Sequence, residues 1–268
     1  MPKQDSRYLP DSEYFLLLDA IGAVATVVMF ELARSSKKRH VVTRNFLGRG
    51  KKTLEAIKML WHAQAYGDCW SLHRTLIDRL FHLHVLGRDQ SFEVFDDWSF
   101  IQQYEARNSV LSDPEMRPKL DLSFWKPRTE DKARYARLKL SGVSWSRPKA
   151  EDAAKSFGYP FFYKYGYDFA STHVHPMAND GEAEFKRATG LGVPADFETQ
   201  VILHNSILAY IVLLQEALIA AQLGWNNHIL NFLKAAHRAL SGRLDEYKIA
   251  FVKFAAIGPS GPWSNLAE

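Results

Sequence analysis

Apolar residues recur every three to four positions along most of the chain, which is the spacing of helices that bury one face. No segment shows the strict alternation of apolar and polar residues that is typical of a half-buried strand. Capping residues, glycines and prolines divide the pattern into predicted helices near residues 11–35, 51–66, 68–86, 91–105, 149–157, 159–172, 196–223, 226–240 and 242–256. The sequence therefore predicts an all-α fold, a bundle of about 7–9 helices.

Prolines and glycines mark the interruptions of this pattern. Pro114, Pro118 and Pro127 predict an irregular excursion near residues 108–147, which holds a short basic helix at 129–140. The glycines and prolines between 176 and 195 predict a loop. We expect one helical domain over residues 1–257, followed by a flexible tail at 258–268.

The composition is that of a globular protein in a reducing compartment. Of the 268 residues, 47% are hydrophobic and 24% are charged, so the chain has material for a sizeable core. The single cysteine, Cys69, excludes a disulfide framework and a cysteine-built zinc site.

Two apolar stretches are tested against a membrane interpretation. In residues 14–33, Asp19 and Glu31 leave only eleven uncharged residues between them, whereas a membrane span needs about 20. Acidic residues precede this stretch where an export signal carries basic ones. The stretch 201–223 is interrupted by His204, Asn205, Gln215, Glu216 and Gln222. We therefore expect no membrane span and a cytoplasmic location.

The net charge of +4 comes from one local run of basic residues. No acid occurs between Glu31 and Glu55, and without the eight basic residues of this gap the chain carries 26 basic and 30 acidic residues. The run contains Lys37, Lys38, Arg39, Arg44, Lys51 and Lys52. It is interpreted either as a surface for RNA phosphates or as a solvated connection between helices.

The predicted third helix is apolar nearly all round, yet it carries Arg74, Asp78 and His82 at positions i, i+4 and i+8. A charge in a buried helix needs a partner, and Arg74 and Asp78 have the spacing of an ion pair on one helix. This pair either fixes the packing of the bundle or lines a pocket.

A second polar stripe consists of Tyr167, Ser171 and His175, again at i, i+4 and i+8, with His173 beside it. His175 stands before a proline and should therefore end its helix. It is interpreted either as a general acid or anion contact, or as a helix-end residue that caps carbonyl groups.

Three other kinds of site are considered: a metal site, a nucleophilic Ser–His pair and a nucleotide-binding loop. His173 and His175 could bind a metal with His82, Asp78 or Asp168, although no helix shows the usual His-x3-His spacing. A nucleophilic pair of Ser171 and His175 lacks the Gly-x-Ser-x-Gly turn. The glycines around residue 49 form neither a P-loop nor a dinucleotide fingerprint, so we expect no nucleotide cofactor. We assign no metal-binding residues.

The segment Leu72-His-Arg74-Thr-Leu-Ile-Asp78, together with Tyr163-x3-Tyr167-x3-Ser171-x3-His175-Pro, resembles a bacterial all-helical family of unknown function. The resemblance covers residues 45–225. It implies that Arg74, Asp78, Ser171 and His175 converge, and it brings no known activity. The family usually has Glu where this chain has Asp78.

The segment Arg79-Leu-Phe-His-Leu-His84 has the Arg-x4-His spacing of HEPN proteins, which are helical bundles that often act as metal-independent ribonucleases. The segment departs from their signature at Leu80, where they have a polar residue. The resemblance implies that Arg79 and His84 of two subunits meet in a dimer cleft, where His84 activates the ribose 2′-OH.

Three functions therefore remain open. The first is a HEPN-like ribonuclease or RNA-binding protein of a toxin or defence type, acting as a homodimer. The second is a non-catalytic module whose Arg74 cluster is structural or binds a phosphate-bearing ligand. The third is a helical bundle that binds a metal through His and Asp residues.

Overall fold

A computed structural model describes residues 8–175, 177–178, 181–191, 197–223 and 227–256, and within these ranges the chain is all-α, as predicted. The described part contains twelve helices, more than the expected 7–9, and two of them, α5 and α8, have only four and three residues. The helices are α1 Asp11–Ala33, α2 Lys38–His62, α3 Tyr66–Asp89, α4 Phe92–Ser112, α5 Leu122–Trp125, α6 Thr129–Leu140, α7 Ala150–Phe157, α8 Phe169–Ser171, α9 Glu182–Thr189, α10 Phe197–Ala220, α11 Asn227–Ala239 and α12 Leu244–Ala255.

The chain divides into two compact units. The larger consists of residues before 89 and after 147, and the smaller consists of residues 89–147. In the smaller unit α6 packs on α4, and the excursion predicted near 108–147 is a short 3₁₀ turn at Arg117–Lys119 followed by α5 and α6. The expectation of a single domain over 1–257 stays a prediction, and the tail at 258–268 lies outside the described residues.

The core of the larger unit is built around α10, which packs against α1, α2 and α11, while α12 packs on α11. Tyr210 of α10 is fully buried, and its hydroxyl donates to the carbonyl of Leu47 in α2, 3.2 Å away. Gly50 makes this approach possible, since a Cβ there would lie 2.8 Å from Leu213 Cδ2 and 3.0 Å from the Tyr210 ring.

Three sequence predictions about the elements are wrong. Helix α2 begins at Lys38 and not near Lys51, because Val42 and Leu47 supply a buried face to the basic run. Helix α3 continues through Gly87, a residue interpreted as a stop, because Gly87 packs against Ala220 of α10. The loop predicted at 176–195 contains α9, which an ion pair between Glu182 and Lys186 stabilises.

Two helices are long and apolar enough to cross a membrane, namely α1 and the Val201–Ala220 part of α10. The most apolar windows of these helices are 50% and 67% buried inside the protein, respectively. Buried core helices and export signals pass the same test of length and composition. The cytoplasmic location therefore stays a prediction.

Candidate functional site

Helix α3 presents Arg74 to the segment 160–171, and the guanidinium group forms two hydrogen bonds there. Its Nε donates to Ser171 Oγ at 2.9 Å, and its Nη2 donates to the Tyr167 hydroxyl at 2.8 Å. The guanidinium carbon also lies 4.6 Å from the centroid of the Tyr167 ring, within cation–π distance. The structure therefore brings together three of the predicted site residues.

The two hydroxyls differ in how their hydrogens are used. Ser171 Oγ accepts from Arg74 and donates to the carbonyl of Tyr167 at 2.7 Å, so its hydrogen is committed. The Tyr167 oxygen also accepts from Arg74, but within the described ranges its phenol hydrogen has no acceptor. Ser171 thus holds Arg74 in place, and its hydroxyl is not poised as the nucleophile of a pair with His175.

The hydrogen bonds of Arg74 go to the segment 160–171, and its predicted ion pair with Asp78 is not seen among the described residues. The Nε and Nη2 groups of Arg74 donate to oxygens of the segment 160–171. Among the described residues, Arg74 has no carboxylate partner. Asp78 has other interactions, and its charge also acts on Arg79. Arg74 is therefore a half-buried cation whose partners are neutral oxygens.

The segment that faces Arg74 is helical from residue 160, and its middle part, Phe162–Asp168, is a π-helical turn. Such turns are rare and recur at functional sites. Gly166 allows the turn to lie close to α3, because a Cβ there would lie 3.2 Å from the side chain of Ile77 and 3.4 Å from His73 Nε2.

Two further contacts fix the end of this segment on α3. Ser71 Oγ donates to the carbonyl of His173 at 2.9 Å, and the Trp70 ring stacks on the His173 ring with centroids 6.0 Å apart and planes inclined by 13°. His173 is thus held as a packing residue.

His73 lies behind the site, buried between α3 and α10. Its Nδ1 lies 3.0 Å from Ser206 Oγ, and its Nε2 is buried without a hydrogen-bond partner among the described residues. Burial lowers the pKa of His73 to about 3, so the imidazole is neutral at physiological pH.

The other predicted members of the cluster do not join Arg74. The His175 side chain is exposed, and its backbone N–H bonds to the carbonyl of Ser171. His82 Nδ1 lies 2.6 Å from the carbonyl of Asp78, one turn earlier on α3. Pro176, which was expected to end the helix, lies outside the described residues. Among the described residues no three His, Cys, Asp or Glu side chains form a group that could hold a metal.

The HEPN-like pair, Arg79 and His84, faces two different partners within the chain. Arg79 Nη1 donates to the carbonyl of Thr75 at 2.9 Å and approaches Thr53 Oγ1 of α2 at 3.3 Å. His84 Nδ1 lies 3.0 Å from the carboxylate of Glu216 on α10. The meeting of Arg79 and His84 across two subunits stays a prediction.

The basic run follows the end of α1: Lys37 directly precedes α2, and the other residues named for the run lie within α2, where several already have partners. Arg39 donates to Gln222, Lys51 donates to Thr26 Oγ1 at 3.2 Å, and Lys52 pairs with Glu55 at 3.0 Å. Lys38 has a partner as well, whereas Lys37 and Arg44 form no side-chain bond within the described part of the chain. RNA binding by this run stays a prediction.

Sequence reasoning missed the residues that shape the site from behind. Glu216 was named only as an interruption of the apolar stretch 201–223, and His73, Ser206 and Gly166 received no role. A glycine within an aromatic run was the one available signal for Gly166, because glycine in an element often marks a close backbone approach.

The comparisons with known proteins give a family and no activity. No curated protein and no solved structure matches the chain. One family model matches residues 40–187, which include the Arg74 helix and the Tyr167 segment, and its description is a family of unknown function. The match covers more than half of the 268 residues. The chain therefore belongs to the family of unknown function DUF5677.

Proposed function

We propose that this protein is a helical binding module for a small oxyanion-bearing ligand, such as a phosphate ester, which it holds at Arg74 and Tyr167. The observation that carries the proposal is that Arg74 is half-buried and, among the described residues, donates only to neutral oxygens. A guanidinium group removed from water is normally paired with an anion, so a ligand is the natural source of the missing charge.

The remaining hydrogen-bond capacity of the site also favours an anion. Both hydrogens on Arg74 Nη1 and one on Nη2 are left over, because Nε and one Nη2 hydrogen are taken by Ser171 and Tyr167. The Tyr167 hydroxyl adds a further donor. Several donors that carry a positive charge and have no carboxylate partner among the described residues are able to bind an oxyanion. The planar guanidinium group can donate to two oxygens of one such anion.

The proposal is tested by titrating the full-length protein with inorganic phosphate in a calorimeter at constant ionic strength. Arg74→Lys keeps the positive charge but lacks the planar guanidinium group that can donate two parallel hydrogen bonds. We therefore expect phosphate to bind about tenfold more weakly to this variant. Tyr167→Phe removes one donor and should weaken binding in the same direction. Arg137→Gln, a change of charge on the exposed surface of α6, is the control and should bind like the wild type.

Phosphate binding that is equal in the wild type and in Arg74→Lys would contradict the proposal. Circular dichroism melts of each variant confirm that the helices are intact. Tyr167→Phe keeps the test valid if a change at Arg74 prevents folding, since it removes one oxygen and leaves the ring in place.

A second candidate is the HEPN-like ribonuclease, and one observation favours it. An ionised Glu216 carboxylate has no hydrogen to donate, so it accepts from His84 Nδ1, and in a neutral imidazole bonded in this way Nε2 carries the lone pair that a general base uses. His84 and Glu216 are 18% and 14% exposed, and His84 Nε2 is buried, so the base acts only after this part of the chain opens. In this proposal the protein is a cytoplasmic homodimer.

The ribonuclease candidate is tested by incubating mixed RNA with the protein and a chelator. Cleavage that disappears in both His84→Ala and Glu216→Gln supports it. RNA that stays intact at concentrations where a control ribonuclease cleaves it removes this candidate and leaves the oxyanion site unaffected.

A further inference from the structure

A second arginine of α3 is also half-buried without a carboxylate partner. Arg79 Nη1 donates to the Thr75 carbonyl at 2.9 Å and lies 3.3 Å from both Thr75 Oγ1 and Thr53 Oγ1. All of these acceptors are neutral, and in the described part of the chain Arg79 forms no ion pair. Its Nη2 and Nε donors have no bond to the described residues.

Thr53 links Arg79 to a third arginine, Arg49, which lies one turn earlier on α2. Thr53 Oγ1 donates to the backbone carbonyl of Arg49 at 2.9 Å, so its hydrogen is committed and its oxygen is left to accept from Arg79. The Arg49 side chain is exposed and forms no hydrogen bond or ion pair within the described ranges. Thr53 therefore brings the Arg79 guanidinium group to the turn of α2 on which Arg49 stands.

The electrostatics of Arg79 show that the two charges act on each other. Burial lowers the pKa of Arg79, the charge of Arg49 lowers it further, and the charge of Asp78 raises it by less than Arg49 lowers it. Of the two charges that act on Arg79, the repulsion from Arg49 therefore outweighs the attraction to Asp78. Two like charges held together by a fold are stabilised when an anion binds between them.

We propose that Arg49 and Arg79 form a clamp for a phosphate group at the contact of α2 and α3. The two guanidinium groups approach one anion from two helices, and Thr53 positions Arg79. The clamp is separate from the Arg74 site, because five residues of α3 correspond to about 140° around the helix axis. The inference therefore does not depend on the function proposed for Arg74.

The clamp is tested with inorganic phosphate in the full-length Arg74→Gln variant, which isolates it from the first site. We expect phosphate to bind this variant, and we expect about tenfold weaker binding after a further Arg49→Gln or Arg79→Gln change. Arg44→Gln is the matched control, because it removes the same charge from α2 at a residue that also lacks a partner among those described.

The exposed Arg49 keeps the test valid if the half-buried Arg79 cannot be replaced without loss of folding. Without phosphate, Arg49→Gln should melt at the same temperature as its parent or higher, because it removes a repulsion. Phosphate binding that is unchanged in Arg49→Gln, or that falls equally in Arg44→Gln, would overturn the clamp.

A second arm separates two sources of the phosphate group. The same variants are titrated into a fluorescein-labelled single-stranded RNA. RNA binding that falls together with phosphate binding in Arg49→Gln identifies a phosphodiester of a strand as the ligand. RNA binding that stays unchanged while phosphate binding falls identifies a small phosphate ester.

Discussion

At the scale of single residues, the donors and acceptors that already have partners determine which groups of the Arg74 site are left for a ligand. Ser171 has both its lone pair and its hydrogen engaged, whereas Tyr167 engages only its lone pair. The two hydroxyls contact the same guanidinium group and still have different roles. Ser171 positions Arg74, and Tyr167 is available to a ligand.

The buried imidazole of His73 gives a prediction about pH. Folding holds His73 neutral, with its pKa lowered from 6.5 to about 3, while the unfolded chain takes up a proton below 6.5. The stability from this residue is therefore complete above pH 6.5 and is lost as the pH falls toward 3. We expect the free energy of unfolding to fall by about 2 kcal/mol between pH 7 and pH 5 because of His73.

Denaturant unfolding of the wild type and of His73→Asn at both pH values measures this contribution. Asparagine keeps a polar atom near Ser206 and does not titrate, so the variant should lack about 2 kcal/mol of the pH dependence. A variant that loses as much stability between pH 7 and pH 5 as the wild type does would show that His73 is protonated in the fold.

The sequence predicted part of the site correctly. The spacing of Tyr167 and Ser171 placed them on one stripe, and Arg74 was the charge that needed a partner on a buried helix. Spacing along one helix also favoured Asp78 as that partner, whereas the hydrogen bonds of Arg74 among the described residues go to Tyr167 and Ser171. Spacing along a helix indicates which of its residues can contact each other. The bonds that form also depend on the acceptors of neighbouring segments, which the spacing does not show.

At the scale of elements, glycines within helices report close packing between helices. A Cβ at Gly87 of α3 would lie 2.9 Å from the Cβ and 3.2 Å from the Cα of Ala220 on α10. A Cβ at Gly48 of α2 would meet only Met29 Sδ, at 3.4 Å, on a flexible side chain. The same change at the two positions should therefore have opposite effects.

We expect Gly87→Ala to destabilise the protein by about 1–3 kcal/mol, because helix α3 or α10 must shift. Gly48→Ala should stabilise it by about 0.5–1 kcal/mol, because alanine favours a helix more than glycine does. Thermal and denaturant unfolding of both variants measure the difference. A stabilised Gly87→Ala would mean that α3 and α10 are not in close contact at this point.

The helical pattern predicted the long elements well and their ends less well. Buried apolar positions identified α1, α10, α11 and α12, since periodicity reports which residues face a core. It missed the first half of α2, where basic residues outnumber apolar ones and the buried face is carried by Val42, Leu47 and Gly50. The π-helical turn at Phe162–Asp168 has no pattern in the sequence that distinguishes it from an α-helix.

At the scale of the whole molecule, the basic run in the sequence predicted only part of the positive charge that is available to an anion. Several of its residues are paired, and of the three arginines proposed to bind anions only Arg49 belongs to the run, whereas Arg74 and Arg79 lie on α3. A net charge identifies an excess, and only the fold shows which cations lack a counter-ion. Membership in a family of unknown function leaves the ligand to be found by experiment.

The central claim is that Arg74 and Tyr167 hold an oxyanion, and crystals grown or soaked with selenate test it most directly. Selenate has the shape and charge of a phosphate dianion, and the anomalous signal of selenium locates it without ambiguity. We predict an anomalous peak within hydrogen-bond distance of Arg74 Nη1 and the Tyr167 hydroxyl, absent in Arg74→Gln. A wild-type crystal in which a carboxylate of the protein occupies that position, and selenate binds elsewhere, would contradict the account.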